Sequence, residues 1–279
     1  MWRFKFALST APGATQTKEI WVANTTGEIP CRIPPNFNNG PLQTTPPCFL
    51  RAKVATSGIS ITLHRQLAAI LGAAPQEFKP GEKYDVIVSA GLVTGAATTQ
   101  NAGETTGQEA PPVRGAPRRP QQPGALADGI IEAVRGGTPL LAIPQTDALS
   151  DGVAKQLAAA GAFSYSGAVG DLRAPWMGNW YFVRKHALYA GMPVDQAMGI
   201  HYQARGNESN GLLVERAPDG AEVEIVAAYS RDHSRQIGAG TFTTKLGAGK
   251  IVYQRVPELQ PVLQMRFLAN VSRWLTSPV

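Results

Sequence analysis

Cysteine is nearly absent from this chain, and absent altogether beyond residue 48. That removes thiol nucleophiles, thiolate metal cages and CxxC redox pairs from all the sequence that follows. Histidine is as scarce: His64, His186, His201 and His233 make up the set of four. None stands at metal-ligand spacing from another, so no metal site is expected, and no cofactor motif is present. Charged residues make up 16% of the chain, against roughly 25% in an ordinary globular protein. The net charge of +6 is spread out. Its densest cluster, Arg114, Arg118 and Arg119, lies in a proline-rich stretch and reads as solvated. With no recognition motif beside it, nucleic acid is not an expected partner. No apolar run reaches the ~18 residues that span a bilayer, and Met1-Trp-Arg-Phe-Lys-Phe-Ala-Leu-Ser9 lacks the pattern of a signal peptide. A membrane is therefore not expected as a partner either, and the compartment stays open.

Proline and glycine are plentiful, 22 and 29 residues, so much of the chain lies in turns and loops. Residues 1–52 read as a β/loop arm. Trp2, Phe4, Phe6 and Leu8 alternate with Arg3 and Lys5, the pattern of a half-buried strand over Trp2–Leu8, and Glu19–Ala23 is a second candidate. A chain opening in mid-strand suggests the end of a truncated upstream β-sandwich. Cys31 and Cys48 flank a proline- and asparagine-rich loop. They form a disulfide in an oxidising compartment or remain two thiols, and the sequence leaves both open.

From residue 53 the texture changes to alternating strands and helices. Ile59–Leu63 reads as a strand and His64–Leu71 as a helix closed by Gly72. Tyr84–Ser89 is a buried strand. Residues 94–123, rich in Thr, Gly, Ala, Gln and Pro, have the composition of a mobile, dispensable insertion. A helix is expected over Gly124–Arg135, a continuous apolar strand over Pro139–Ile143, and then a helix capped by Asp147 or Ser150 and ended by Gly161. Phe163–Ser166, Val223–Tyr229 and Lys250–Tyr253 are further strands. Pro261–Thr276 is the final helix, with Leu263, Phe267, Val271 and Trp274 on one stripe. Such alternation predicts a flavodoxin-like, doubly wound α/β domain over 53–279, with a mostly parallel sheet covered on both faces.

Helix, Gly136-Gly137 and strand Leu140-Leu141-Ala142-Ile143 together resemble the class I glutamine-amidotransferase-like fold. So does the ending Gly247-Ala-Gly-Lys-Ile-Val-Tyr253 followed by Phe267-Leu-Ala-Asn-Val-Ser-Arg-Trp-Leu275. More narrowly, Trp176-Met-Gly-Asn-Trp-Tyr-Phe-Val-Arg-Lys-His-Ala-Leu-Tyr189 and Arg231-Asp-His-Ser-Arg-Gln-Ile-Gly-Ala-Gly-Thr-Phe242 resemble the amidotransferase-like domain at the C-terminus of bacterial family 2 glycoside hydrolases, the β-galactosidase-related enzymes. The resemblance covers roughly residues 55–277. It implies a last strand returned by a hairpin and a closing helix. It also implies partners: the other domains or subunits of a longer glycosidase, and carbohydrate. The glycosidase activity of that family lies in a barrel with two catalytic carboxylates, for which this chain has no room. The resemblance thus implies an accessory domain of a parent enzyme, with export of that parent one option.

A working amidotransferase needs a cysteine on a tight strand-to-helix turn. The turn here reads Ile143-Pro-Gln-Thr-Asp-Ala-Leu149, with no Cys and no Gly-x-Ser-x-Gly. Thr146 and Ser150 carry the hydroxyls there, and helix capping accounts for either. The best polar candidate is His233 with Asp232, Arg231 and Arg235, just after a strand: Arg pairs with carboxylate or phosphate and Asp orients an imidazole. The plainer reading is a salt-bridge cluster. Trp176, Trp180 and Tyr181, with Phe182, Tyr189 and Tyr202, offer faces for sugar rings, or form a hydrophobic docking cluster. Gly247-Ala-Gly249-Lys250 lacks the P-loop spacing and reads as a turn. Sequons at Asn24, Asn207 and Asn270 are short enough to arise by chance. Three functions remain: a non-catalytic accessory domain, a free-standing hydrolase working near His233, and a small-molecule or sugar-binding module.

Overall fold

The structure is a computed structural model that describes residues 2–11, 14–22, 52–71, 73–93, 124–168, 179–192, 196–200, 211–231, 237–255 and 261–277. Gly72 and the insertion 94–123 lie outside the described residues. At the N-terminus, β1 (Trp2–Ala11) and β2 (Ala14–Val22) pair as an antiparallel hairpin, from Trp2 opposite Val22 to Ala11 opposite Ala14.

The remaining elements build an α/β fold on a mixed sheet of eleven strands whose central strands are parallel. The parallel strands are β3 (Val54–Ser57), β4 (Gln76–Glu77), β5 (Val86–Ser89), β8 (Leu140–Ala142) and β15 (Gly249–Gln254). Side by side they run β4-β3-β5-β8-β15, each pair parallel. Numbered by appearance, that is the order 2-1-3-4-5 of a flavodoxin-like sheet. Every residue of β3, β5 and β8 is buried, because helices cover both faces. α1 (Ile61–Leu71) and α4 (Pro261–Thr276) cover one face. Leu67, Ile70, Phe267, Leu268 and Val271 pack there on Val54, Val86, Val88, Leu141 and Val252. α2 (Ile130–Arg135) and α3 (Asp147–Ala159) cover the other. Ile130, Val134, Val153 and Leu157 pack there on Ala55, Ile87, Leu140, Ile251 and Tyr253.

β15 also begins an antiparallel wing. It pairs with β14 (Ile237–Leu246) through a hairpin turning at Gly247-Ala248, then come β13 (Glu224–Arg231), β10 (Asn179–Val183) and β11 (Gln196–Ile200). β12 (Leu212–Glu215) joins β14 at one pair and carries β9 (Ser164–Ala168) on its other side. Gly247 and Ala248 are thus the hairpin turn expected of that segment.

Several local expectations need correction. Ile59–Leu63 is not a strand: β3 lies upstream at Val54–Ser57, and Ser60 starts α1 by accepting the Leu63 N–H at 3.2 Å. Leu63 and Leu67 lie one turn apart on the buried side of α1. Gly124–Arg135 is not one helix. β7 (Gly124–Ala125) pairs with β6 (Leu92–Val93), and the helix starts only at Ile130. The cap of α3 is neither Asp147 nor Ser150. Thr146 has the extended backbone of an N-cap and accepts the Leu149 N–H.

Candidate functional site

In a doubly wound sheet the usual ligand crevice opens at the carboxyl ends of the strands where the order reverses. Here that point lies between β3 and β5, and the chain's own backbone fills it. A Cβ on Gly58 would come within 2.2 Å of the Gly91 carbonyl oxygen. One on Gly152 of α3 would come within 1.9 Å of the Gly124 carbonyl. The β6–β7 ribbon is therefore seated tightly on α3, and the Gln156 side chain accepts the Leu126 N–H at 2.6 Å to hold it. Ser89, at the end of β5, is fully buried and accepts the Gly91 N–H. Among the described residues, the backbone of the β6–β7 ribbon thus occupies the space between β3, β5 and α3.

The next corner along the same edge lies between the ends of β8 and β15, at the first turn of α3. Its hydroxyls are committed. Thr146 caps the helix, and Ser150, 2% exposed, lies 2.9 Å from the Tyr253 hydroxyl. Tyr253 in turn donates to the Ser150 carbonyl. Burial holds the Tyr253 hydroxyl well above the usual tyrosine range, partly offset by its bond to Ser150. Neither Thr146 nor Ser150 has an imidazole at hydrogen-bonding distance among the described residues. Arg255 reaches from the end of β15 to the Asp147 carboxylate. Among the described residues its Nε has no partner, and neither amide atom of the neighbouring Gln254 has one. An unpaired buried polar group costs about 1–3 kcal/mol. Sequence reading missed Gln254, Arg255 and Asp147 as a group. The only available signal was a polar pair ending an apolar strand, Ile251-Val-Tyr-Gln-Arg255.

The candidates singled out from sequence are placed only in part. Asp232, His233, Arg235, Trp176, Cys31 and Cys48 lie outside the described residues, as do His201 and Tyr202. Arg231 ends β13 opposite Asn179, while Trp180 and Tyr181 stand opposite Ser230 and Tyr229. The backbones of Arg231, Trp180 and Tyr181 are therefore neighbours, but in the antiparallel wing rather than at the end of a central parallel strand. Tyr189 is core: it packs on Phe267 with ring centroids 5.2 Å apart, and its hydroxyl lies 2.8 Å from that of Thr241. His186 caps a 3-10 turn, accepting the Leu188 N–H at Nδ1, while Nε2 lies 3.7 Å from Glu224. Burial lowers its pKa, against the pull of Glu224. Asn270 is buried and donates to the carbonyls of Leu188 and Ala190, so this sequon is structural. No group of three or more His, Cys, Asp or Glu placed to hold a metal occurs among the described residues. No described helix is long and apolar enough to cross a membrane.

At the opposite end of the sheet an open groove of about 600 Å³ runs between the end of α3, the loop at Ala217–Ala221 and the β14–β15 hairpin. Its charged lining residues are Asp219 and Lys245, without a catalytic pairing.

No protein-family model and no curated protein matches the chain. Solved structures resemble it remotely, among them the following three. A β-galactosidase from Rahnella sp. R3 is 12% identical, with a TM-score of 0.41, over 81% of this chain and 32% of that one. This chain therefore spans about a third of the galactosidase. A cytoplasmic protein of Salmonella typhimurium LT2 is 13% identical, with a TM-score of 0.37, over 99% of this chain and 96% of its own. A second cytoplasmic protein, from Salmonella typhimurium, is 15% identical, with a TM-score of 0.38, over 98% and 95%.

Proposed function

We propose that this chain is a non-catalytic α/β module that works by docking and binding, an accessory domain similar to that of family 2 glycoside hydrolases. Its partners would be the other domains or subunits of such an enzyme. The observation that carries the reading is the turn after β8. Where an amidotransferase-like fold would place its nucleophile, Thr146 is a helix cap and Ser150 is buried against Tyr253. A hydroxyl held in those bonds, with no adjacent base among the described residues, is a poor nucleophile. The test is an assay of the purified chain against chromogenic β-galactosides, simple esters and glutamine, alongside Thr146→Val, Ser150→Ala and His233→Ala. The expected result is no turnover above the blank. Turnover that survives repurification and falls 10²–10⁴-fold in His233→Ala, the usual cost of a lost general base, would make the free-standing hydrolase the better account.

A second reading, a module that binds a small molecule or sugar, is favoured by the unpaired amide of Gln254. It is compatible with the first, since a module can dock through one face and hold a ligand at the sheet edge.

A further inference from the structure

Among the described residues, three buried polar atoms without a partner fall on two consecutive positions at the exit of β15: Oε1 and Nε2 of Gln254, and Nε of Arg255. Gln254 is 1% exposed and Arg255 7%. Native folds pair nearly all such groups, and the exceptions call for an explanation. The position is the carboxyl edge of the parallel strands, the side on which α/β sheets take ligands, and the neighbouring crevice between β3 and β5 is closed by backbone. We propose that this corner binds a neutral, polyhydroxylated small molecule, with the side-chain amide of Gln254 as its recognition group. The inference rests on the binding reading above and names its ligand class.

The chemistry of the surroundings sets that class. One amide side chain offers two donors and an acceptor, which adjacent hydroxyls answer with an acceptor and a donor. The residue opposite Gln254 on β14 is Thr241, whose hydroxyl meets that of Tyr189, so the wall beside the amide bears hydroxyls. Alternation along β15 turns Tyr253 and Arg255 toward α3 and Gln254 toward α4. The ligand therefore lies against Gln254, while Arg255 and Asp147 set the local charge. That pair is already balanced. Among the described residues the Arg255 charge at this corner is already met by Asp147, so an anion would bear its desolvation cost without a free cation in return. Both amide atoms are closed to solvent, so entry requires the corner to open and association runs below the diffusion limit.

The test is thermal unfolding of the full chain titrated with D-galactose, glycerol and citrate, for the wild type and for Gln254→Leu. Galactose is expected to raise the wild-type Tm with concentration, as linkage requires of a ligand of the folded state, and citrate to leave it unchanged. Gln254→Leu, which removes the unpaired amide at similar bulk, should melt above the wild type without ligand. Its affinity for galactose should fall at least tenfold. Selective 15N-glutamine labelling of the wild type gives a readout that does not depend on the variant's folding. One side-chain amide pair should shift with galactose and none with citrate. If citrate rather than galactose moves the Tm and the amide, the ligand class is wrong while the binding reading stands. If no probe moves either, both fall. A Leu variant that melts below the wild type and keeps its galactose response would assign Gln254 to packing and overturn the proposal.

Discussion

In the parallel half of the sheet, β3, β5 and β8 read Val-Ala-Thr-Ser, Val-Ile-Val-Ser and Leu-Leu-Ala, and every residue is buried. In the antiparallel wing, β14 is buried as thoroughly from Gly238 to Thr244, yet that stretch reads Gly-Ala-Gly-Thr-Phe-Thr-Thr. The two halves reach the same burial by different means. Parallel strands between two helical layers bury mainly aliphatic side chains, and their hydroxyls lie toward the strand ends, where Thr56 donates to the Gln76 carbonyl and Ser89 accepts the Gly91 N–H. β14 buries glycine and threonine instead, so its hydroxyls need partners: Thr241 meets Tyr189, and Thr244 donates to the Ala162 carbonyl at 3.1 Å. Phe242, beside Ala239, carries most of the apolar share, stacked on Tyr253 at 5.0 Å and edge-on to Phe163 at 5.1 Å. Burial of a strand is thus decided by what covers it, while its composition decides how many polar debts must be settled inside.

The sharpest way to break this comparison is Phe242→Ala. If the wing belongs to the same core, the loss should match a core truncation in the parallel half, about 3–5 kcal/mol for Phe→Ala beside about 2–5 kcal/mol for Leu141→Ala. Urea titration of both variants would measure it. A cost below about 1 kcal/mol for Phe242→Ala, far under that range, would show that the wing is an appendage whose burial carries little stability.

The same contrast explains what could be read from the residues alone. The parallel half was legible because aliphatic runs such as Tyr-Asp-Val-Ile-Val-Ser89 and Pro-Leu-Leu-Ala-Ile143 stand out against their surroundings, and Pro261–Thr276 because its apolar stripe has a helical period. β14 was not legible, since Gly, Thr and Lys alternating around one Phe is also the texture of a loop. The β3 boundary slipped because Ile59 and Ile61 are apolar but lie in the turn and first residue of α1, where Ile61 is 67% exposed. The sequence offers Asp147, Ser150 and Thr146 alike as caps of α3. All three types cap well, so only the backbone geometry separates them. The corner at Gln254 had no signature in sequence, because an unpaired amide is a statement about neighbours that distant segments of the chain supply.

A smaller effect tests how tightly the β6–β7 ribbon closes the crevice between β3 and β5. Gly152 sits inside α3, where alanine would ordinarily gain up to about 1 kcal/mol of helix propensity. A Cβ there would meet the Gly124 carbonyl at 1.9 Å, and backbone cannot swing aside as a side chain can. Gly152→Ala is therefore expected to lose about 1–3 kcal/mol, the usual cost of overpacking, in spite of propensity. A gain in Tm would mean that the ribbon lifts away and the crevice is open. Thr146→Ala should cost about 1 kcal/mol for the lost cap, seen as a drop of roughly 2–4 °C in Tm.

The smallest expected effect lies where the wing meets α4. His186 is half-buried between Glu224, Arg184 and Trp274, and its net pKa lies below the ordinary histidine value because burial outweighs the attraction of Glu224. The unfolded chain, with an imidazole near 6.5, takes up that proton more readily than the folded one. Stability from this residue is therefore complete above about pH 6.5 and declines as the pH falls below it. His186→Asn isolates the contribution, because asparagine can still accept the Leu188 N–H but does not titrate. The loss of Tm between pH 7.5 and pH 5.5 should be larger for the wild type than for His186→Asn. An equal loss would show that the imidazole is neutralised or charged alike in both states. A larger loss in the variant would mean that Glu224 holds the charged form after all, which would make the contact a salt bridge that strengthens in acid.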